Sequence, residues 1–220
     1  MSIEENLLKI RQGIPANVCL VAVSKTKPND LLMQAYEAGQ RDFGENYVQE
    51  LVQKQSQLPN DIRWHFIGHL QSNKVKQMAA FVHLIHGVDS LKLLEEINKQ
   101  AIKCNRVIPF LFQIYIAREE SKFGLSFQEC DNILAGETFT SLKNVSLQGL
   151  MGMASNTDDT EKIREEFTSL KNYADKLTQN GWQLPQLSFG MSGDYPLAIA
   201  CGSSMVRVGS AIFGERLYSK

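Results

Sequence analysis

The sequence contains no uninterrupted apolar run near the roughly 20 residues that crossing a bilayer requires. Residues 1–13 are acidic and amphipathic, unlike the basic-then-apolar pattern of a secretory leader. An excess of either charge is also missing: 23 lysines and arginines face 24 aspartates and glutamates, a formal net charge of −1. That balance argues against a dedicated nucleic-acid binder and against a membrane-surface protein. Cysteine is scarce, and Cys19, Cys104, Cys130 and Cys201 are too far apart for a CxxC or Cys/His metal motif. They read as reduced thiols in a cytoplasmic protein. No proline- or glycine-rich linker divides the chain, and there is no low-complexity tract. What remains is ordinary globular composition, 43% hydrophobic and 21% charged over 220 residues.

Within that composition, short apolar runs ending in turn residues alternate with helix-period stretches eight times. Strands are expected over 18–23, 41–46, 62–69, 83–89, 106–117, 145–153, 187–191 and 205–214. Helices are expected over 3–11, 29–39, 47–58, 71–81, 91–103, 127–134, 158–180 and 195–202, with Asn29 capping the second and Gly39 ending it. Eight strand–helix units in one chain fit an α/β fold, a single (β/α)8 barrel over 1–220, since that fold begins at about 200 residues. A doubly wound open sheet would want a glycine-rich turn after its first strand, and residues 24–30 contain no glycine.

Barrel chemistry sits where the strands end. The first strand delivers Ser24 and Lys25 there, and a partly desolvated lysine can form a Schiff base with an aldehyde. Lys27 shares its face, so spacing alone does not choose between the two lysines. The loops expected after the seventh and eighth strands are rich in small and hydroxyl residues: 190–194 with Ser192 and Gly193, 202–204 with Gly202 and Ser203, and 209–211. Phosphate commonly binds in that part of a barrel. Alternation in 205–209 puts Val206 and Val208 on one face and Arg207 on the other. If the valines pack outward, Arg207 points into the barrel and needs an acceptor: a carboxylate such as Glu45 or Asp89, or a ligand over the mouth. A reactive lysine, a phosphate site and an arginine for an aromatic nitrogen together describe pyridoxal 5′-phosphate.

The motifs A22VSKTKP28, F43GENYVQE50, W64HFIGHLQSNK74, S121KFG124, G149LM151, G190MS192 and G202SSMVRVGSAIFG214 cover nearly the whole chain. In them it resembles the pyridoxal phosphate homeostasis proteins (YggS/PROSC family). The resemblance implies a barrel like the N-terminal domain of alanine racemase, without that enzyme's C-terminal β-domain. It implies pyridoxal phosphate held as an aldimine on the first lysine of SKTKP, Lys25. It further places Ser192, Gly202 and Ser203 at the phosphate and Arg207 at the pyridine nitrogen. Asn46, His65 and Met153 fall at strand ends, with Asn46 and Met153 as pocket-wall candidates and His65 as a satisfied core histidine. The family often has threonine at Ser203, and residues 152–155 depart from its usual pattern.

An arginine at the pyridine nitrogen disfavours ring protonation and weakens the electron sink of most pyridoxal enzymes. Alanine racemase sets a tyrosine from a second domain opposite its lysine. Here the chain runs only to Lys220, just past the eighth unit, and Tyr36, Tyr47, Tyr115, Tyr173, Tyr195 and Tyr218 lack that tyrosine's context. These features lead to the expectation of a non-catalytic protein, and of a monomer; that it holds the cofactor and supplies it to apoenzymes is what the resemblance implies. Lys74, Lys76 and residues 119–122 are candidate docking charges, although solvated charge is the better account of each. Two rival readings are a weak amino-acid racemase and a barrel enzyme acting on another aldehyde phosphate through Lys25.

Overall fold

Eight parallel strands close into a ring in strict sequence order, β1 pairing with both β2 and β8. The strands are β1 Cys19–Val23, β2 Asp42–Glu45, β3 Arg63–Phe66, β4 Leu84–Val88, β5 Ile108–Ile114, β6 Val145–Gly152, β7 Gln186–Ser188 and β8 Met205–Val208. The helices are α1 Ile3–Gln12, α2 Asn29–Glu37, α3 Val48–Gln57, α4 Val75–Met78, α5 Leu91–Lys103, α6 Phe127–Ala135, α7 Glu137–Ser141, α8 Thr160–Gln179, α9 Tyr195–Ala200 and α10 Ser210–Phe213. This computed structural model describes residues 2–117, 119 and 122–214. Met1, Arg118, Glu120, Ser121 and 215–220 lie outside it, and with them parts of two expected features: the S121KFG124 motif and the 119–122 loop. Tyr218 lies outside it too. Among the described residues no helix is long and apolar enough to cross a membrane.

Two cores follow from strand alternation. Val21, Leu84, Leu111, Met151 and Met205 fill the inside of the ring. Outward residues such as Ala22, Phe43, Trp64, Phe66, Val206 and Val208 pack against the helices. Helix α1 starts on a Ser2–Glu5 capping box and buries Ile3, Leu7 and Ile10. Leu8, the other apolar residue of that helix, faces solvent.

The structure departs from the sequence expectations at four places. Pro28, not Asn29, is the N-cap of α2; Asn29 is its first residue and its side-chain amide reaches Gln57. The helix expected over 71–81 is a 3₁₀ turn, Ser72–Lys74, and the single turn of α4. It stops early because Arg106 takes the carbonyls of Ala79 and Val82 at 2.7 and 2.8 Å. The last strand ends at Val208 instead of 214, and α10 follows. Helix α7 was not anticipated, its five residues being too few to show a period.

Candidate functional site

The side of β1 that carries Val21 faces the ring interior, and the same alternation brings Val23 and then Lys25 to the C-terminal mouth. There the chain turns sharply, Thr26 taking φ 63°, and Lys25 and Lys27 both line a cavity of about 380 Å³. Asn46 after β2, Ile67 after β3, Met153 after β6, Met191–Gly193 after β7 and Gly209–Ser210 after β8 complete most of its wall. Lys27 is committed elsewhere: its ammonium donates to the carbonyls of Phe213 and Gly214 at 3.1 and 3.0 Å.

A buried ionic cluster sets the turn that carries Lys25. The Ser24 hydroxyl donates to Glu45 at 2.5 Å, and Lys54 from α3 donates to Glu45, to Glu50 and to the Ser24 carbonyl at 2.6–2.7 Å. Glu50 in turn accepts the backbone N–H of Thr26 at 2.6 Å, holding the left-handed residue in place. Burial pushes the Glu45 carboxyl up to about 7, with Lys54 and Ser24 opposing it.

Arg207 points inward, as the outward packing of Val206 and Val208 requires. Neither Glu45 nor Asp89 is its partner: Glu45 pairs with Lys54 and Asp89 with His69. The guanidinium instead donates to the carbonyl and hydroxyl of Ser188 at 2.7 and 2.6 Å and to the Gly152 carbonyl at 3.1 Å. Burial lowers its pKa to about 10, the charge of Asp194 partly offsetting this, so it remains a cation at neutral pH. From Ser188 the bonds continue through the ring: Ser188 Oγ to His86 Nδ1 at 3.0 Å, His86 Nε2 to His65 Nδ1 at 2.9 Å, and His65 Nε2 to Asp42 at 3.1 Å. His65 is thus a fully bonded interior histidine. Burial, then the charges of His65 and Arg207, hold His86 well below its ordinary pKa, so it is neutral.

The two loops after β7 and β8 are tied together, the Ser192 hydroxyl accepting the Gly209 N–H at 3.1 Å. Gly190 has φ 96°, and a Cβ there would lie 2.5 Å from that of Ala198, so only glycine fits the bend. The helices behind these loops are short, six residues in α9 and four in α10, and Asp194 at the α9 cap accepts the Met191 N–H. Attraction for an anion therefore comes from Lys25, Lys27, Arg207 and loop N–H groups more than from a helix dipole. The buried Oδ1 of Asn46 has no hydrogen-bond partner among the described residues, which leaves an acceptor at the cavity wall.

Lys25, Asn46, Ser192 and Arg207 thus converge on one cavity, and Gly202 and Ser203 do not. These two residues precede β8 and lie at the opposite, N-terminal end of the ring. The Ser203 hydroxyl sits within 2.7–3.1 Å of the Leu187, Phe189 and Met205 carbonyls, and a Cβ on Gly202 would meet the Lys171 side chain. Their placement at a phosphate is corrected: the loop that follows β8 begins at Gly209, with Ser210 beside it. The signal was present in the sequence, since a strand that carries Arg207 inward must end after that residue.

The family model for the alanine racemase N-terminal domain matches residues 1–217. The pyridoxal phosphate homeostasis protein of Pasteurella multocida is 40% identical, with all of both chains covered. That of Escherichia coli K12 is 38% identical over 99% of this chain and 98% of its own. Among solved structures, PipY of Synechococcus elongatus with PLP bound is 36% identical and superimposes with a TM-score of 0.88 over 97% of this chain and 100% of that one. An alanine racemase from Clostridium difficile has the same fold at 15% identity, with a TM-score of 0.80 and 57% of its length covered.

Proposed function

The chain belongs to the alanine racemase N-terminal domain family and, within it, to the pyridoxal phosphate homeostasis proteins, and from that premise we propose that it binds pyridoxal 5′-phosphate at the C-terminal mouth of the barrel and serves cellular balance of that cofactor. The observation that carries this reading is the meeting of Lys25, Arg207 and the Ser192–Gly209 loop pair on one cavity. The cofactor brings an aldehyde that condenses with an amine, releasing water, a phosphate dianion, and a ring nitrogen. The residues fit each part. Lys25 supplies the amine, the loops at 191–193 and 209–210 supply N–H groups and hydroxyls for the phosphate, and Arg207 supplies a fixed donor for the ring nitrogen. The orphaned Asn46 oxygen offers an acceptor to any donor on the bound molecule.

The same geometry favours a carrier over a catalyst. Arg207 stays charged, so it donates to the ring nitrogen and keeps a proton off it. Among the described residues no tyrosine lines the cavity, so none stands opposite Lys25 as a second base. The whole span 1–220 acts as one cofactor-binding unit that hands pyridoxal phosphate to cytoplasmic apoenzymes, and works as a monomer.

The test is the visible spectrum of the purified protein and of Lys25→Ala, before and after addition of pyridoxal phosphate. A Schiff-base band in wild type that is missing in the variant supports the reading. Absence of a band in both, or its survival in Lys25→Ala, sinks the role given to Lys25. Incubation with L-alanine or L-serine should yield no D-isomer; turnover at ordinary enzyme rates would instead establish the racemase reading.

A further inference from the structure

The N-terminal mouth of the barrel, opposite the cavity described above, carries a second cluster of chemistry-bearing side chains. Asp42 begins β2, His65 is the inward residue of β3, and His83 immediately precedes β4. These strands start side by side in parallel register, Asp42 against Arg63 and His65 against Leu84. One carboxylate oxygen and one ring nitrogen from each histidine all lie within 4.8 Å of one another. They open on a cavity of about 300 Å³ whose wall also holds Cys19 and Gln186. We propose that this cluster binds a transition-metal dication of the zinc class, with Asp42, His65 and His83 as its protein ligands.

Three observations carry the assignment. The Asp42 Oδ1 to His65 Nε2 separation of 3.1 Å is close to the edge, about 3.3 Å, of a tetrahedron with bonds of about 2.0–2.1 Å. His83 is exposed, so its ring can swing to close the wider gap. Behind His65 stands the support that a metal-bound imidazole needs: its Nδ1 is bonded to His86, which is bonded to Ser188, fixing the ring with Nε2 toward the cavity. The buried Oε1 of Gln186 has no hydrogen-bond partner among the described residues, so the cavity wall carries one more oxygen donor in need of a partner. Two imidazoles with one carboxylate suit zinc, cobalt or nickel and do not suit magnesium or calcium, which take oxygen ligands.

Arg63 works against the cation. Its Nε donates to Asp42 Oδ1 at 2.7 Å and its NH2 to Oδ2, so an incoming ion must compete with a guanidinium for the carboxylate. The Arg63 side chain is 48% exposed and can turn to water. Its presence fixes the sign of a prediction: removal of Arg63 tightens metal binding, whereas in a purely structural ion-pair cluster its loss would create no affinity for a metal. The proposal stands apart from the cofactor reading, because nothing in that reading uses this mouth.

The experiment titrates Zn²⁺ into full-length, chelator-treated protein against a chromophoric competitor and repeats the titration with Co²⁺ as a visible probe. Wild type is expected to take up one ion per chain with the intense cobalt d–d absorption of a four-coordinate site. His83→Ala, an exposed substitution with little folding risk, should weaken binding at least about tenfold, and Arg63→Gln should strengthen it. Failure to bind one equivalent overturns the proposal, as does an affinity that neither substitution moves. Circular dichroism of the metal-free variants confirms that each is folded.

Discussion

Lys54→Met tests whether the ionic cluster beneath the Lys25 turn is a structural device. Lys54 donates to Glu45, Glu50 and the Ser24 carbonyl, and Glu45 is fully buried, so the substitution strips a buried carboxylate of its counter-ion. Breaking such a pair costs about 3–5 kcal/mol when the stranded charge cannot escape. Here it can partly escape. Glu45 already titrates near 7, so at neutral pH it takes up a proton in preference to remaining bare, and the cost falls toward about 3 kcal/mol. At pH 5 the carboxyl is protonated in the native protein with or without Lys54, and less is lost. At pH 8 the full penalty applies. Urea unfolding at the three pH values should therefore show a midpoint drop that grows with pH, of roughly 1 M or more at neutrality. Glu50 would also lose the cation that orients it toward the Thr26 N–H, so the Lys25 turn loosens and affinity for pyridoxal phosphate falls. Adding Glu45→Leu should recover most of the stability, because an apolar pair leaves nothing uncompensated. The reasoning fails if Lys54→Met costs under about 1 kcal/mol at every pH, or costs the same at pH 5 and pH 8.

Glu45→Gln examines the same cluster through its proton. The folded pKa, about 7, lies above the ordinary value of 4.5, so wild type binds the extra proton in the native state and loses stability as pH rises from 4.5 through 7. The upper bound on that loss is on the order of 3 kcal/mol, and Glu45→Gln should flatten this part of the stability–pH curve; an unchanged slope would contradict the raised pKa. Ser192→Ala and Ser203→Ala separate the two ends of the β7–β8 region. Ser192→Ala removes the hydroxyl that joins the cavity loops and should weaken pyridoxal phosphate binding in a spectroscopic titration. Ser203→Ala should cost about 1 kcal/mol of stability in a thermal melt and leave cofactor affinity alone, and equal loss of affinity in both would restore Ser203 to the phosphate.

Much of this was legible in the sequence, because the signals are periodic. Eight alternations of apolar run and helical stretch announce the barrel, and parity within β8 announces that Arg207 points inward once Val206 and Val208 face the helices. The misplacement of Gly202 and Ser203 has a physical origin. The turns on the two sides of β8 are alike in composition, and chain order, which puts 202–204 before the strand and 209–210 after it, is what separates them. The interior chain from Ser188 through His86 and His65 to Asp42 was invisible for another reason. Its members come from four strands, and a hydrogen bond between residues 102 positions apart leaves no local trace. Helix α4 is shorter than the spacing in 71–81 predicts, because that spacing is genuine while the guanidinium at the end of the helix arrives from Arg106.

The partners of Arg207 also bear on the role proposed for it at the ring nitrogen. A guanidinium paired with a carboxylate is largely spent, its charge neutralised and its planar face occupied. Arg207 is instead held by two carbonyls and one hydroxyl, all neutral, in a site where burial has already cost it part of its basicity. Its orientation is fixed and its charge is not. Ser188 accepts from Arg207, and from Ser188 the bonds run on through neutral His86 and through His65 to Asp42. The arrangement runs from a cation at one mouth to a carboxylate at the other. On the function proposed above, a ring nitrogen meeting Arg207 would find a donor that stays a cation at neutral pH, the condition for holding a pyridoxal ring without activating it.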